Sequence, residues 1–329
     1  LDYDFKHIWH PCTQMKDHEL SPPIHIEKGE GIYLFDKDGK KYIDAISSWW
    51  VNLFGHNNPR LNNALKDQLT RMAHVMFAGV THTPAIDLAV SLVEHTPSNL
   101  TKVFFSDNGS TSIEVALKMS LQYWQQVGEK KRTQFIYLTD GYHGETLGAL
   151  SVCGINLFRE NFNNVLMQNI EVKGPDCYRC PFDLNPENCE AECFEPLEIA
   201  LKENKETVAG VIIEPLVQGA AGMKMYPPIY LKKLENTCEK LKTHTIYDEV
   251  AVAFGRIGSL FVCAEYGLQP TFLCLSKGIT SGYLPLAATL TNDEIFQAFY
   301  DEPLSMKLFL HSHSYSANPL ACACANETL

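Results

Sequence analysis

Short apolar segments alternate with helical segments from about residue 60 onward, and this pattern constrains the fold more than any other feature. Each apolar segment has the length of a buried strand, and strands joined by helices usually form a parallel sheet with helices on both faces. The sequence therefore predicts an α/β fold with a mostly parallel central sheet. Strands are predicted at residues 102–106, 134–138, 208–213, 244–248, 272–275 and 287–290, and the clearest helices at 61–72, 110–124 and 230–241.

Three other segments depart from this alternation. Residues 31–44 place two apolar stretches around Asp38 and Gly39, which predicts a β-hairpin. The segment 173–198 is rich in Cys, Pro and Asn and is predicted to be an insertion. Residues 321–329 are good helix formers without a stop signal, so we expect this helix, and the natural protein, to continue further.

Composition and charge exclude several classes of protein. Lys and Arg total 27 against 39 Asp and Glu, and the resulting net charge of −12 disfavours a nucleic-acid partner. Apolar runs stop far short of the ~20 residues that a membrane helix needs. The first residues lack the basic and apolar stretches of a secretory signal. With 11 cysteines, mostly in apolar segments, these features predict a cytoplasmic protein with no membrane partner.

A separate cysteine cluster leaves one alternative open. Cys177, Cys180, Cys189 and Cys193 have a spacing that could supply the four thiolates of a zinc site. A surface insertion with incidental cysteines explains the same spacing, and we predict no metal. A zinc-binding module remains the alternative.

Four motifs that could carry chemistry follow predicted strands. Gly109 and Ser110 begin a helix, where unpaired amides can bind a phosphate. Tyr142 lies between glycines on a turn and could stack on a planar ring. Asp248 could bind the protonated nitrogen of a heterocycle. Lys277 follows an apolar strand, and a desolvated lysine has a lowered pKa and can form a Schiff base with an aldehyde.

Each motif alone also has an ordinary structural explanation, such as a helix cap, a core tyrosine or a surface lysine. In open α/β sheets, however, ligands bind beyond the carboxyl ends of the strands, so the four motifs should lie together. Pyridoxal 5′-phosphate (PLP) requires this combination of a phosphate site, a ring stack, a carboxylate and a Schiff-base lysine. The sequence therefore predicts PLP as the cofactor.

The chain resembles the class III pyridoxal-phosphate aminotransferases of fold type I from about residue 6 to its end. Its matching motifs lie at residues 9–11, 47–50, 74–77, 141–144, 213–215, 248–250 and 318–322. Within the family it is most similar to the members of biotin synthesis, chiefly through its Trp-His-Pro and Trp-Trp sequences. Ala251 fits those members, because many relatives, such as 4-aminobutyrate and ornithine aminotransferases, carry Gln at this position.

The resemblance implies roles for individual residues. The expected catalytic residues are Lys277, which carries the Schiff base and moves the proton, Asp248 at the pyridine nitrogen, and Tyr142 on the ring. The other expected cofactor-binding residues are Gly109, Ser110, Val250 and, toward the partner subunit's phosphate, His313 and Ser314. The expected substrate-binding residues are Cys12, Trp49, Trp50, Tyr142 and Ser312.

The resemblance also implies a reaction and an organisation. The reaction is a ping-pong transfer of an amino group from S-adenosylmethionine to 8-amino-7-oxononanoate, and the enzyme is a homodimer with shared active sites. Residues 1–52 are expected to belong to a small domain and residues 53–329 to the large PLP-binding domain. The rest of the small domain, including the arginine that binds the substrate carboxylate in the family, would follow residue 329.

One departure from the family keeps other functions open. Cys12 stands where the family usually has a tyrosine, and a thiol cannot stack on an adenine ring as a phenol can. Lysine is therefore an alternative amino donor. Another class III ω-aminotransferase, or a truncated paralogue that binds PLP without turnover, would also be compatible with the sequence.

Overall fold

A seven-stranded sheet runs through the centre of this computed structural model, which describes residues 2–185 and 188–329. The twelve strands in the described residues are β1 Ile26–Glu30, β2 Tyr33–Asp36, β3 Lys41–Ile43, β4 Leu100–Ser106, β5 Gln134–Leu138, β6 Ile170–Val172, β7 Val208–Ile213, β8 Val217–Gln218, β9 Lys224–Met225, β10 His244–Asp248, β11 Phe272–Leu275 and β12 Ala287–Asn292. The large sheet has the order β4-β12-β11-β10-β7-β5-β6. β11, β10, β7, β5 and β6 run parallel, whereas β12 is antiparallel to both of its neighbours. The predicted α/β fold with a mostly parallel sheet is confirmed.

Helices cover both faces of the sheet. Among the described residues they are α1 Asp2–His7, α2 Ser47–Trp50, α3 Pro59–Leu69, α4 Thr83–His95, α5 Gly109–Gln126, α6 Leu147–Leu150, α7 Asn156–Arg159, α8 Glu195–Glu203, α9 Ile229–Leu241, α10 Val262–Glu265, α11 Asp293–Phe299 and α12 Pro319–Thr328, with 3-10 turns at Met15–Glu19, Glu160–Phe162, Glu192–Phe194 and Lys277–Thr280. α5 packs on one face, and α4, α8, α9 and α12 pack on the other.

The strands are apolar throughout because both faces of the sheet are buried. In β7 all six residues are buried, and Val211 and Ile213 belong to one core cluster while Ile212 between them belongs to the other. This alternation follows from the two-residue period of a strand. Burying each such side chain contributes about 1.5–3 kcal/mol, so the strand positions are fixed by the core.

The N-terminal region forms a separate three-stranded antiparallel sheet of β1, β2 and β3. The hairpin predicted at residues 31–44 is confirmed, with β2 paired to β3 across the turn that contains Asp38 and Gly39. Assignment of residues 1–52 to a small domain remains a prediction, and Leu1 lies outside the described residues.

The segment predicted as an insertion, residues 173–198, is only partly peripheral. Residues 186–187 lie outside the described part of the chain, but Ala191, Phe194 and Leu197 are buried in the main core. The segment therefore joins the core from Ala191 onward. In the described residues, no helix is long and apolar enough to cross a membrane.

Candidate active site

The parallel strands of the large sheet end at one edge, and a cavity of about 820 Å³ opens there. Six of the residues expected to bind the cofactor line this cavity: Gly109, Ser110, Tyr142, Asp248, Val250 and Lys277. Four of the residues expected to bind the substrate also line the cavity: Cys12, Trp49, Trp50 and Tyr142. The structure thus brings residues from the N-terminal segment and from four strand ends into one cavity, of a size typical for small-molecule sites.

Helix α5 begins inside this cavity. Its N-cap Asn108 accepts a hydrogen bond from the Thr111 amide, and the Thr111 hydroxyl accepts one from the Asn108 amide. Among the described residues, the amides of Gly109 and Ser110 have no partner, so they are available to an anion at the positive end of the helix.

Two glycines keep this anion site tightly packed. A Cβ at Gly109 would lie 2.7 Å from Val250 Cγ1, which is too close for any side chain. Gly144 has a φ of +113°, and a Cβ there would overlap the Ser110 side chain. Thr146 binds the Ser110 hydroxyl through both its amide, at 3.1 Å, and its own hydroxyl, at 2.7 Å. The loop after β5 therefore packs directly on the start of α5.

Asp248 ends β10 and forms a buried pair with His143. The Asp248 Oδ2 atom lies 2.8 Å from His143 Nδ1, and the Val250 amide donates to Asp248 Oδ1 at 3.0 Å. The side chains of His143 and Asp248 are 1% and 6% exposed. Because both carboxylate oxygens have a partner, the His143 imidazole and the Val250 amide hold the Asp248 side chain in one orientation.

Lys277 follows β11 and lies at the centre of the cavity lining. Its backbone has a left-handed φ of 45°, which a non-glycine residue adopts rarely and at a site where the surroundings enforce it. Burial lowers the pKa of the Lys277 ammonium, and the negative charges of Asp248 and Glu214 partly oppose this by raising it. The Lys277 amine therefore loses its proton more readily than that of an exposed lysine.

Glu214 was not predicted as a site residue, although it belongs to the Ile-Glu-Pro motif at 213–215. Its carboxylate accepts hydrogen bonds from the Tyr142 and Gly219 amides, both at 2.9 Å. Burial raises the pKa of Glu214 to about 7, although the nearby His143 opposes that shift. His143 was also not predicted as a site residue. Both residues could have been found from the sequence, because Glu214 lies in the family motif at 213–215 and His143 in the one at 141–144, each near the end of a strand.

Tyr142 projects over the cavity from the loop after β5. Its hydroxyl donates to Glu145 at 2.8 Å, and its ring packs 5.3 Å from that of Phe158. Burial, followed by the neighbouring Glu145 carboxylate, raises the pKa of the Tyr142 phenol. The phenol is therefore neutral at physiological pH and offers an aromatic face rather than a charge.

The two tryptophans reach the cavity from α2, whose backbone is left-handed. The φ angles of Ser47, Ser48, Trp49 and Trp50 are 50°, 47°, 70° and 68°. Left-handed helical backbone costs about 1–2 kcal/mol for each non-glycine residue, so other contacts must stabilise this turn. The turn brings the Trp50 ring to 4.8 Å from Lys277 Nζ and leaves Trp49 57% exposed at the cavity.

The segment around residues 312–314 lies outside the set of described residues that line the cavity. Ser312 and Ser314 are exposed. His313 does not line the cavity, but its Nδ1 atom lies 2.8 Å from Oδ2 of Asp107, which does. The roles expected of Ser312, His313 and Ser314 remain predictions. An exposed position is compatible with a contact to a second subunit.

The four clustered cysteines line a second, much smaller cavity of about 20 Å³. Burial raises the pKa of Cys177 to about 11, and the thiols of Cys189, Cys193 and Cys180 add to that shift. Within residues 2–185 and 188–329, no group of three or more His, Cys, Asp or Glu residues has the geometry to hold a metal ion.

We expect the purified protein to contain no stoichiometric zinc, since burial raises the pKa of the Cys177 and Cys193 thiols and metal binding requires thiolates. Elemental analysis before and after treatment with a chelator checks this. One zinc per chain that the chelator removes, together with loss of thermal stability, would establish the zinc-module alternative instead.

Comparison with known proteins identifies relatives along the whole chain. The family model for class-III aminotransferases matches residues 14–329. The adenosylmethionine-8-amino-7-oxononanoate aminotransferase of Geobacter sulfurreducens is 46% identical over 329 residues, which cover 100% of this chain and 73% of that protein. The enzyme of the same name from Aquifex aeolicus is 47% identical over 330 residues, covering 99% of this chain and 72% of that protein.

Solved structures agree with these sequence matches. The aminotransferase of the same name from Methanocaldococcus jannaschii has a TM-score of 0.92 at 41% identity, covering 99% of this chain and 73% of that one. An ω-transaminase from Pseudomonas jessenii, solved in complex with PMP, has a TM-score of 0.93 at 33% identity, with the same coverages of 99% and 73%. The expected fold is confirmed by both.

Proposed function

The chain belongs to the class III aminotransferase family, whose members depend on PLP, and from this premise we propose that it transfers an amino group from S-adenosylmethionine to 8-amino-7-oxononanoate. The observation that carries the proposal is the convergence of Lys277, Asp248 and the start of α5 on one cavity, behind the Trp49–Trp50 pair. The names of the Geobacter and Aquifex relatives support this particular reaction.

The residues present fit PLP in three respects. The unpartnered amides of Gly109 and Ser110 suit a phosphate group. The buried Asp248 carboxylate suits a protonated ring nitrogen, and Lys277 supplies an amine of lowered pKa in the same cavity. When bound, PLP supplies an electron sink for the pair of electrons left on the substrate carbon after a proton departs.

Each residue has a defined task in this proposal. Asp248, held by His143, keeps a proton on the ring nitrogen and so maintains the positive charge there. Lys277 Nζ, in the neutral form that burial favours, takes the proton from the amine-bearing carbon of the donor and would pass it to the cofactor carbon that receives the amino group. With the acceptor it would move a proton in the opposite direction. Tyr142 and Val250 line the cavity and would contact the ring, and Trp49 and Trp50 would exclude water from the long apolar acceptor.

We further propose that the protein is a homodimer in which the segment around Ser314 serves the partner's phosphate site. Support comes from the exposure of apolar residues Leu304, Met306 and Leu310 immediately before that segment. A cytoplasmic location likewise remains a prediction from the cysteine usage.

The first test is the absorbance spectrum of the PLP-loaded protein before and after S-adenosylmethionine is added alone. We expect loss of the yellow absorbance, because donation of the amino group converts the cofactor to its colourless pyridoxamine form. 5′-Methylthioadenosine, which keeps the nucleoside but lacks the chain with the transferable α-amino group, is the matched control and should leave the spectrum unchanged.

The other outcomes separate the alternatives. A yellow protein that bleaches with lysine and not with S-adenosylmethionine would keep the acceptor and replace the donor, which is the expectation if Cys12 cannot support adenine binding. Bleaching with another ω-amino acid alone would favour a different class III aminotransferase. A protein that takes up PLP but transfers nothing would fit the paralogue without turnover.

A further inference from the structure

The left-handed turn α2 depends on a carboxylate that does not itself line the cavity. Asp44 accepts hydrogen bonds from the Ser48 amide at 2.8 Å and from the Ser48 hydroxyl at 2.6 Å. Ser48 has a φ of 47° and is one of the four consecutive left-handed residues. Asp44 therefore stabilises the strained part of the turn directly.

His56 fixes that carboxylate in place. Its Nε2 atom lies 2.8 Å from Asp44 Oδ2, and the Asp44 side chain is 6% exposed. The His56 backbone exchanges two hydrogen bonds with Gly31, and the Asp44 amide donates to the Ile32 carbonyl. Both residues are thus anchored on the small N-terminal sheet, so the pair is a rigid support for the turn.

The other end of the turn is anchored on the loop that follows β10. Arg256, which follows the Asp248 strand, donates from one guanidinium nitrogen to the carbonyls of Trp50 at 3.4 Å and Asn52 at 3.0 Å. The centre of the Trp50 ring lies 4.8 Å from Lys277 Nζ, and along the chain Trp50 follows Ser48, which Asp44 holds, and precedes Asn52, which Arg256 holds. Releasing the Asp44 end would free the turn to relax toward ordinary backbone and to carry the Trp50 ring away.

We propose that Asp44 and His56 form a positioning pair that holds Trp50 over Lys277 and thereby sets the affinity for the acceptor substrate. The affinity part rests on the proposed function, since it concerns the acceptor of that reaction. The position of Trp50 can be tested without the proposed function, because the ring governs access to the Lys277 amine even in the protein without substrate.

The test compares Asp44→Ala with wild type in two measurements. The KM for 8-amino-7-oxononanoate should rise about tenfold, with kcat changed less than about threefold, because the loss concerns substrate binding. In the protein without cofactor, an amine-acylating reagent should label Lys277 about threefold faster, because the shielding aromatic ring is gone. Peptide mass spectrometry measures that rate, with Lys224 as the internal reference.

A rescue variant separates positioning from general damage. Glycine adopts positive φ without strain, so Asp44→Ala combined with Ser48→Gly should recover the KM and the slow labelling. His56→Gln, a milder change, should shift both measurements in the same direction as Asp44→Ala. The matched control is Asp36→Asn on the same small sheet, where the carboxylate binds Tyr42 and two backbone amides away from the cavity, and it should change neither measurement.

Wild-type labelling of Lys277 in a folded Asp44→Ala or His56→Gln protein would overturn the proposal. Equal losses in kcat and kcat/KM that Ser48→Gly does not repair would also overturn it, since they indicate structural damage. If no acceptor is turned over by any variant, the proposed reaction fails, and the labelling rates still decide whether the pair positions Trp50.

Discussion

Replacing Lys277 by alanine is expected to lower kcat for amino transfer by about 10⁴-fold, the upper range for loss of a group that moves a proton in the transition state. Lys277 lies in the cavity with Asp248 and Glu214, and burial has already lowered the pKa of its amine. Alanine supplies no base there, and water in the vacated space is a weaker one. Steady-state kinetics with both substrates measures the loss.

The matched variants for this prediction are Lys277→Arg and Lys102→Ala. Arginine keeps the positive charge but stays protonated, so it should be nearly as inactive as alanine. Lys102, which is half-buried on β4 and pairs with Asp293 outside the cavity, should be replaceable with activity unchanged. Activity of Lys277→Ala within tenfold of wild type would contradict the assignment of Lys277 as the proton-transfer group.

The inner strands could be predicted from sequence because core burial leaves little choice of residue. The predicted bounds 134–138, 208–213, 244–248 and 272–275 coincide with β5, β7, β10 and β11. β6 was missed because Ile-Glu-Val at the edge of the sheet is too short and too polar to stand out. The antiparallel direction of β12 is set by its long-range pairing with β4 and β11, which local patterns do not encode.

Helix α4 was also missed, although it carries recognisable start signals. The His82 side chain caps the Ala85 amide, and Pro84 occupies the first turn. Thr83 directly before Pro84 offers a common start pattern, but the structure uses His82 as the N-cap, which is an uncommon residue there. The ring of His82 is held by the Ala317 carbonyl 235 residues away, a contact that no local analysis could supply.

The candidate site was predictable where residues directly follow strands. Gly109, Tyr142, Asp248 and Lys277 converge because parallel strands end at one edge of the sheet. The left-handed turn at 47–50 was not predictable, since nothing in Ser-Ser-Trp-Trp requires positive φ. That conformation is held by Asp44, which follows β3, and by Arg256 in the loop after β10.

Asp248→Asn is expected to lower kcat by about 10²–10³-fold, as is typical when a charge that stabilises the transition state is removed. Asparagine has nearly the same shape and can still contact His143 and the Val250 amide, so the loss would reflect the missing charge. A neutral amide cannot hold a proton on the ring nitrogen. The kcat of the PLP-saturated variant measures this effect.

The matched variant for Asp248→Asn is Glu214→Gln, because both carboxylates raise the pKa of Lys277. Removing either negative charge should lower that pKa further. The acidic limb of the kcat profile, which reports the substrate complex in which the Lys277 amine is free, should therefore move to lower pH in both variants. For Glu214 the shift should be evident above about pH 7, where its own carboxylate is ionised. If Asp248 also acts at the ring nitrogen, Asp248→Asn loses far more kcat than Glu214→Gln. Equal losses in the two variants would mean that Asp248 acts through Lys277 alone.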